Sequence, residues 1–147
     1  MKGEMMDVRW QQRFDNYRRL LKILKTNFHG KKAEDFSELE QMGLGKSFEL
    51  TFEILWKLLK DYLEYEEVEI GLISPKNILR VSAENGLLDL MKTDGSLLIE
   101  AHKSRNELTH IYDFEKFQAA LIKIQNRYLP ELLKVESFFG EKVQSHE

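Results

Sequence analysis

At 147 residues, with no cysteine and a formal net charge of −3, the chain is long enough to bury one core but excludes a disulfide framework and a thiolate metal site. The mildly acidic balance argues against broad non-specific binding to nucleic acid, while leaving room for a local basic pocket. No run of about 18 apolar residues is present to span a membrane, and the opening MKGEMMDVRW lacks the apolar stretch of a signal peptide, so a cytoplasmic location is expected.

Two prolines and eight glycines are a sparse supply of turns, which points to helices. The first helix is predicted from about Asp7 to Phe28. Trp10, Phe14, Tyr17, Leu21, Leu24 and Phe28 recur at spacings of three and four and form one apolar stripe. Arg9, Arg13, Arg18, Arg19, Lys22 and Lys25 fall between them and are expected to face solvent. The second helix opens at Ser37, with Glu40 completing a capping box, and runs to about Tyr65. Leu44, Phe48, Thr51, Phe52, Leu55, Trp56, Leu59, Tyr62 and Leu63 fill one broad arc, and Leu50, Ile54 and Leu58 widen it. Only Lys46, Glu49, Glu53, Lys57 and Lys60 hold a polar strip. A helix this apolar belongs at the centre of a bundle or partly in a subunit interface.

A shorter helix follows, capped by Ser74 with Pro75 in its first turn and closed by Asn85-Gly86. KTDGS reads as a turn, and a fourth helix starts near Ser96. A fifth is capped by Asp113 and carries Phe117, Leu121, Ile124, Tyr128, Leu132 and Val135 on one face, with a kink expected at Pro130. The closing GEKVQSHE is polar and expected to fray. The fold class is therefore all-α, an antiparallel up-and-down four- or five-helix bundle. It is read as a single domain over 1–147 with its core between about 8 and 138.

Chemistry concentrates in RNELTHIYD, residues 105–113. Arg105 and His110 would diverge by about 140° on an unbroken helix, so aiming both at one group requires a break between them. Asp113 as the next N-cap supplies one, since an N-cap is non-helical, and β-branched Thr109 and Ile111 disfavour helix. Arg105 and Asn106 are placed at the end of the fourth helix, and His110, Ile111 and Tyr112 in the corner beyond it. These residue types suit phosphodiester chemistry. Arg105 offers a permanently charged fork for phosphate oxygens, His110 can transfer a proton near neutral pH, Asn106 can orient the phosphate or the imidazole, and Tyr112 can hydrogen-bond or stack on a base. No metal and no cofactor are called for. His102, three residues before Arg105, could face the same cleft, but a solvated histidine is the commoner outcome. GLGKS at Gly43 has part of a phosphate-loop pattern but lacks its full spacing and a preceding strand.

The R-x4-H-x-Y pattern of Arg105, His110 and Tyr112 resembles the motif of HEPN-domain proteins of the HepT type. The ordered stretches WQQRFDNYRRLL, KSFELTFEILWKLLKDYL, SPKNILR and RNELTHIYD resemble the helical nucleotidyltransferase substrate-binding family over roughly residues 8–130. The resemblance implies a homodimeric bundle with the motifs of both subunits lining a cleft, and a minimal nucleotidyltransferase as partner. In its toxin–antitoxin members the helical protein is a metal-independent RNase, which here would use Arg105 and His110. The partner silences it by adding AMP to the motif tyrosine, here Tyr112. The alternatives are a non-catalytic substrate-binding subunit and a purely structural bundle. The chain departs from the family in lacking an aromatic residue before the motif and in carrying Thr109 where serine is common.

Overall fold

The computed structural model describes residues 4–146, with side chains from 8 to 145, so the side chain of His146 lies outside the described residues. Helix α1 (Glu4–Asn27) buries the predicted stripe completely from Trp10 to Leu24, and Phe28 is buried just past its end. The Tyr17 hydroxyl donates to the Leu132 carbonyl at 2.7 Å, which pins α1 to the C-terminal part of the chain. One cation of this helix does not behave as expected. Arg13 turns inward and donates from Nε to Oδ2 of Asp61 at 2.9 Å. A carboxylate on the second helix is fully buried there, and it needs a charged partner to remain so.

Helix α2 (Glu38–Tyr65) starts as the sequence predicts. Ser37 Oγ accepts from the Glu40 N–H at 3.1 Å and Glu40 Oε1 accepts from the Ser37 N–H at 2.8 Å, satisfying two of the N–H groups a helix start leaves open. GLGKS lies inside α2, and a Cβ on Gly45 would collide with the Phe117 ring. That glycine serves close helix packing. Helix α3 (Pro75–Glu84) is capped by Ser74, whose side chain accepts from the Asn77 N–H. Asn85 keeps a right-handed backbone and Gly86, at φ 89°, carries the left-handed turn. A one-turn helix that the sequence did not suggest, α4 (Leu87–Leu90), then buries Leu87 and Leu88 before the next turn. Helix α5 (Gly95–Leu108) begins under the side chain of Asp94, which accepts from the N–H groups of Ser96 and Leu97.

The predicted fifth helix is divided. Helix α6 (Phe114–Lys123) leads into a wide π turn at Ile124–Tyr128, and α7 (Leu129–His146) follows. The Leu129 N–H reaches back to the Ile124 carbonyl, five residues earlier. Pro130 has no N–H and its ring collides with the carbonyl four residues before it, and the wider turn just ahead accommodates both defects. Leu121, Ile124, Tyr128, Leu132 and Val135 stay on the core side through this region. The C-terminal stretch expected to fray continues as helix through His146, because Phe139 is fully buried and Val143 packs on the core.

Helix α2 is the central element. It packs against α1 on one side and against α3, α5 and α6 on the others, while α7 closes over α1. The all-α bundle expected from the sequence is the fold observed. No strand occurs among the described residues, and no described helix is long and apolar enough to cross a membrane.

Candidate functional site at the α2–α5 face and the α5–α6 corner

The break between Arg105 and His110 is present. Helix α5 ends at Leu108, the His110 N–H closes a turn on the Glu107 carbonyl at 2.9 Å, and Asp113 Oδ1 accepts from Glu115 N–H at 2.8 Å to start α6. Buried Leu108 and half-buried Ile111 hold the corner against the core. The polar groups therefore point outward. His110 is exposed, and Tyr112 is 93% exposed, more than any other large apolar or aromatic side chain described. A hollow of about 330 Å³ adjoins Tyr112, walled by Glu38, Met42, Ile111, Phe114 and Phe117.

Arg105 faces α2. Its Nη2 donates to Glu53 Oε2 at 3.1 Å and its Nη1 to Asn106 Oδ1 at 3.2 Å. Glu53 in turn accepts from Trp56 Nε1 at 3.1 Å and pairs with Lys57 at 3.2 Å. Partial burial pushes the Glu53 carboxyl upward. The hydrogen bonds from Trp56 and Lys57, with the charges of Lys57 and Arg105, outweigh that and hold it below its ordinary value.

His102 belongs to the same cluster. Its ring stacks on Phe52 at 5.8 Å between centroids, and Asn106 Nδ2 lies 3.4 Å from its Nε2. Burial, and then the charge of Arg105, lower its pKa and favour the neutral imidazole. His102 Nδ1 and Arg105 Nε are buried without a hydrogen-bond partner among the described residues. Such atoms are uncommon in folded proteins.

The structure thus brings Arg105 and Asn106 together and adds Glu53 and His102, two residues sequence reasoning had left aside as a polar-strip residue and a solvated histidine. His110 and Tyr112 stand on the adjacent corner, and no described hydrogen bond joins either to Arg105. The one sequence signal for His102 was its spacing of three and four from Arg105 and Asn106, which puts all three on neighbouring faces of one helix.

A sequence model of the family described as nucleotidyltransferase substrate binding protein like matches residues 12–140, from α1 into α7. No curated protein matches the chain.

Proposed function

The chain belongs to the nucleotidyltransferase substrate binding protein like family, and we propose that it is the helical partner, and itself the acceptor, of a minimal nucleotidyltransferase, with Tyr112 as the modified residue. The observation that carries this reading is the 93% exposure of Tyr112 at a corner held in place by Leu108 and Ile111. An acceptor phenol must enter another protein's active site, and a rigid, protruding corner meets that need. The phenol oxygen attacks the α-phosphorus of ATP, an O–P bond forms, pyrophosphate leaves, and the partner takes the phenol proton. In the HepT-like form of the reading, the unmodified protein is a metal-independent RNase. The RNA 2′-hydroxyl attacks the adjacent phosphorus, His110 takes its proton, the bond to the 5′-oxygen breaks, and the imidazolium returns the proton to that oxygen. Arg105 offsets the charge on the phosphate. AMP on Tyr112 places a phosphodiester charge and bulk near Arg105, which silences cleavage.

The reading includes a second copy of the chain beside this site. Leu50 of α2 and Ile99 of α5 are exposed apolar side chains on the two helices that carry Glu53 and Arg105. In this reading a homodimer covers them, and the motifs of both subunits line one cleft, as the family resemblance implies. The family description favours a second reading, a substrate-binding subunit in which Arg105 and His110 hold a ligand phosphate without breaking a bond.

Incubation with the partner and ATP, followed by peptide mass spectrometry, is expected to find AMP on Tyr112 and none in Tyr112→Phe. Modification of the Phe variant would rule out Tyr112 as the acceptor. RNA cleavage in EDTA, lost in both Arg105→Ala and His110→Ala, supports the RNase. Cleavage undiminished in both would assign it to a contaminant.

A further inference from the structure

A long groove lies away from this site. It runs along α1 against α7, has a volume of about 780 Å³, and carries Arg18, Arg19, Lys22, Lys25 and His29 along its α1 side. Helix α2 separates it from α5, since α1 packs on α2 and α7 while α5 packs on the other sides of α2. Lys25 is partly neutralised by Glu136 of α7 at 3.2 Å, and Asp15 closes one end. Arg19 and Lys22 have no carboxylate partner among the described residues. The groove therefore holds an excess of positive charge on a chain whose net charge is −3.

We propose that this groove is a docking track for the phosphate backbone of a single-stranded polynucleotide. Arg18, Lys22 and Lys25 follow one another at four and three residues. They form a row about 10 Å long with roughly a helical turn between neighbours, a spacing suited to successive phosphates of one strand. A small anionic ligand would call for an enclosed pocket with polar groups converging on one point. Here the cations are strung along an open groove. The track takes its RNA from the cleavage reading above, but it is tested by binding alone.

The test uses the full chain carrying Arg105→Ala and His110→Ala, so that bound RNA stays intact, and a short fluorescein-labelled single-stranded RNA followed by anisotropy over a range of salt. Adding Arg18→Gln and Lys22→Gln is expected to weaken binding several-fold. It should also reduce the slope of log affinity against log salt by about 0.7 for each phosphate no longer neutralised. Arg80→Gln on α3, a charge change outside the groove, is expected to leave the slope unchanged. Equal slopes in parent and groove variant would overturn the track. So would displacement of the RNA by polyglutamate at lower concentrations than by unlabelled RNA, which would assign the groove to an acidic protein. If the groove variant binds as its parent does while the unsubstituted chain still cleaves RNA, the track alone fails. If the track binds and the unsubstituted chain does not cleave, the cleavage reading alone fails.

Discussion

Arg105 of α5 donates from Nη2 to Oε2 of Glu53 on α2 at 3.1 Å, so the guanidinium proposed for phosphate already has a carboxylate in its grasp. Both side chains are about one-third exposed, and such a pair adds only about 0–1 kcal/mol to stability. The pair is better understood as competition at the site. A phosphate must displace Glu53 or share Arg105 with it. Glu53→Gln keeps an acceptor for Trp56 and removes the charge. It is expected to tighten binding of a 2′-deoxy dinucleotide several-fold, while stability shifts by less than about 1 kcal/mol. Weaker binding in the variant would show that Glu53 positions Arg105. Because the Glu53 pKa lies below 4.5, the carboxylate stays charged, and its competition persists, until the pH falls below that value.

His102 should make stability depend on pH. Its folded-state pKa lies below the ordinary value of 6.5, through burial first and Arg105 second. The unfolded chain therefore binds the proton more readily. The contribution of the neutral ring is fully present above pH 6.5 and is lost as the pH falls through the folded value. His102→Phe retains a ring to stack on Phe52 and cannot titrate. Melting temperatures followed by circular dichroism from neutral pH downward are expected to drop less steeply in this variant. Parallel curves for the two proteins would remove His102 from the account.

The sequence disclosed the parts of the fold that depend on local rules. The Ser37 and Ser74 caps, the Trp10-to-Leu24 stripe and the Asp113 restart are each set by residues within a turn of one another. What it hid depends on elements distant in the chain. Arg13 and Asp61 are 48 positions apart, and Glu53 and Arg105 are 52 apart. On a helical wheel each looks like an ordinary polar residue, and only packing decides which carboxylate meets which cation. The π turn was half-visible. Pro130 announced a defect, but its form depended on keeping both Ile124 and Leu132 in the core.

Arg13 matters to stability in a way its place among solvent-facing cations conceals. Asp61 has no side-chain exposure and is held by Arg13 at 2.9 Å, with Lys60 farther away at 3.4 Å. Removing one partner of a buried pair costs about 3–5 kcal/mol because the other charge is left stranded. With Lys60 still near, Arg13→Met is expected at or below the lower end of that range. Arg80→Met removes an exposed pair with Glu84 and is expected to cost at most about 1 kcal/mol. Urea titrations of both variants compare the two directly, and equal midpoints would show that Asp61 is not dependent on Arg13.

Gly45 and Phe117 test why GLGKS contains its second glycine. A Cβ at Gly45 would overlap the ring of Phe117, which brings α6 onto α2 immediately after the α5–α6 corner. Two effects oppose each other in Gly45→Ala. Alanine favours a helix interior over glycine by about 1 kcal/mol, while overpacking typically costs about 1–3 kcal/mol. The ring is only partly buried and can yield somewhat, so a net loss of about 1 kcal/mol is expected. Phe117→Leu removes the colliding atoms. In that background the same Gly45→Ala change is expected to become neutral or stabilising, because only the helix preference remains. The sign reversal, read from urea midpoints of the four proteins in the cycle, isolates the contact. If Gly45→Ala costs the same in the Phe117→Leu background as in the unsubstituted chain, helix packing is not the reason for the glycine.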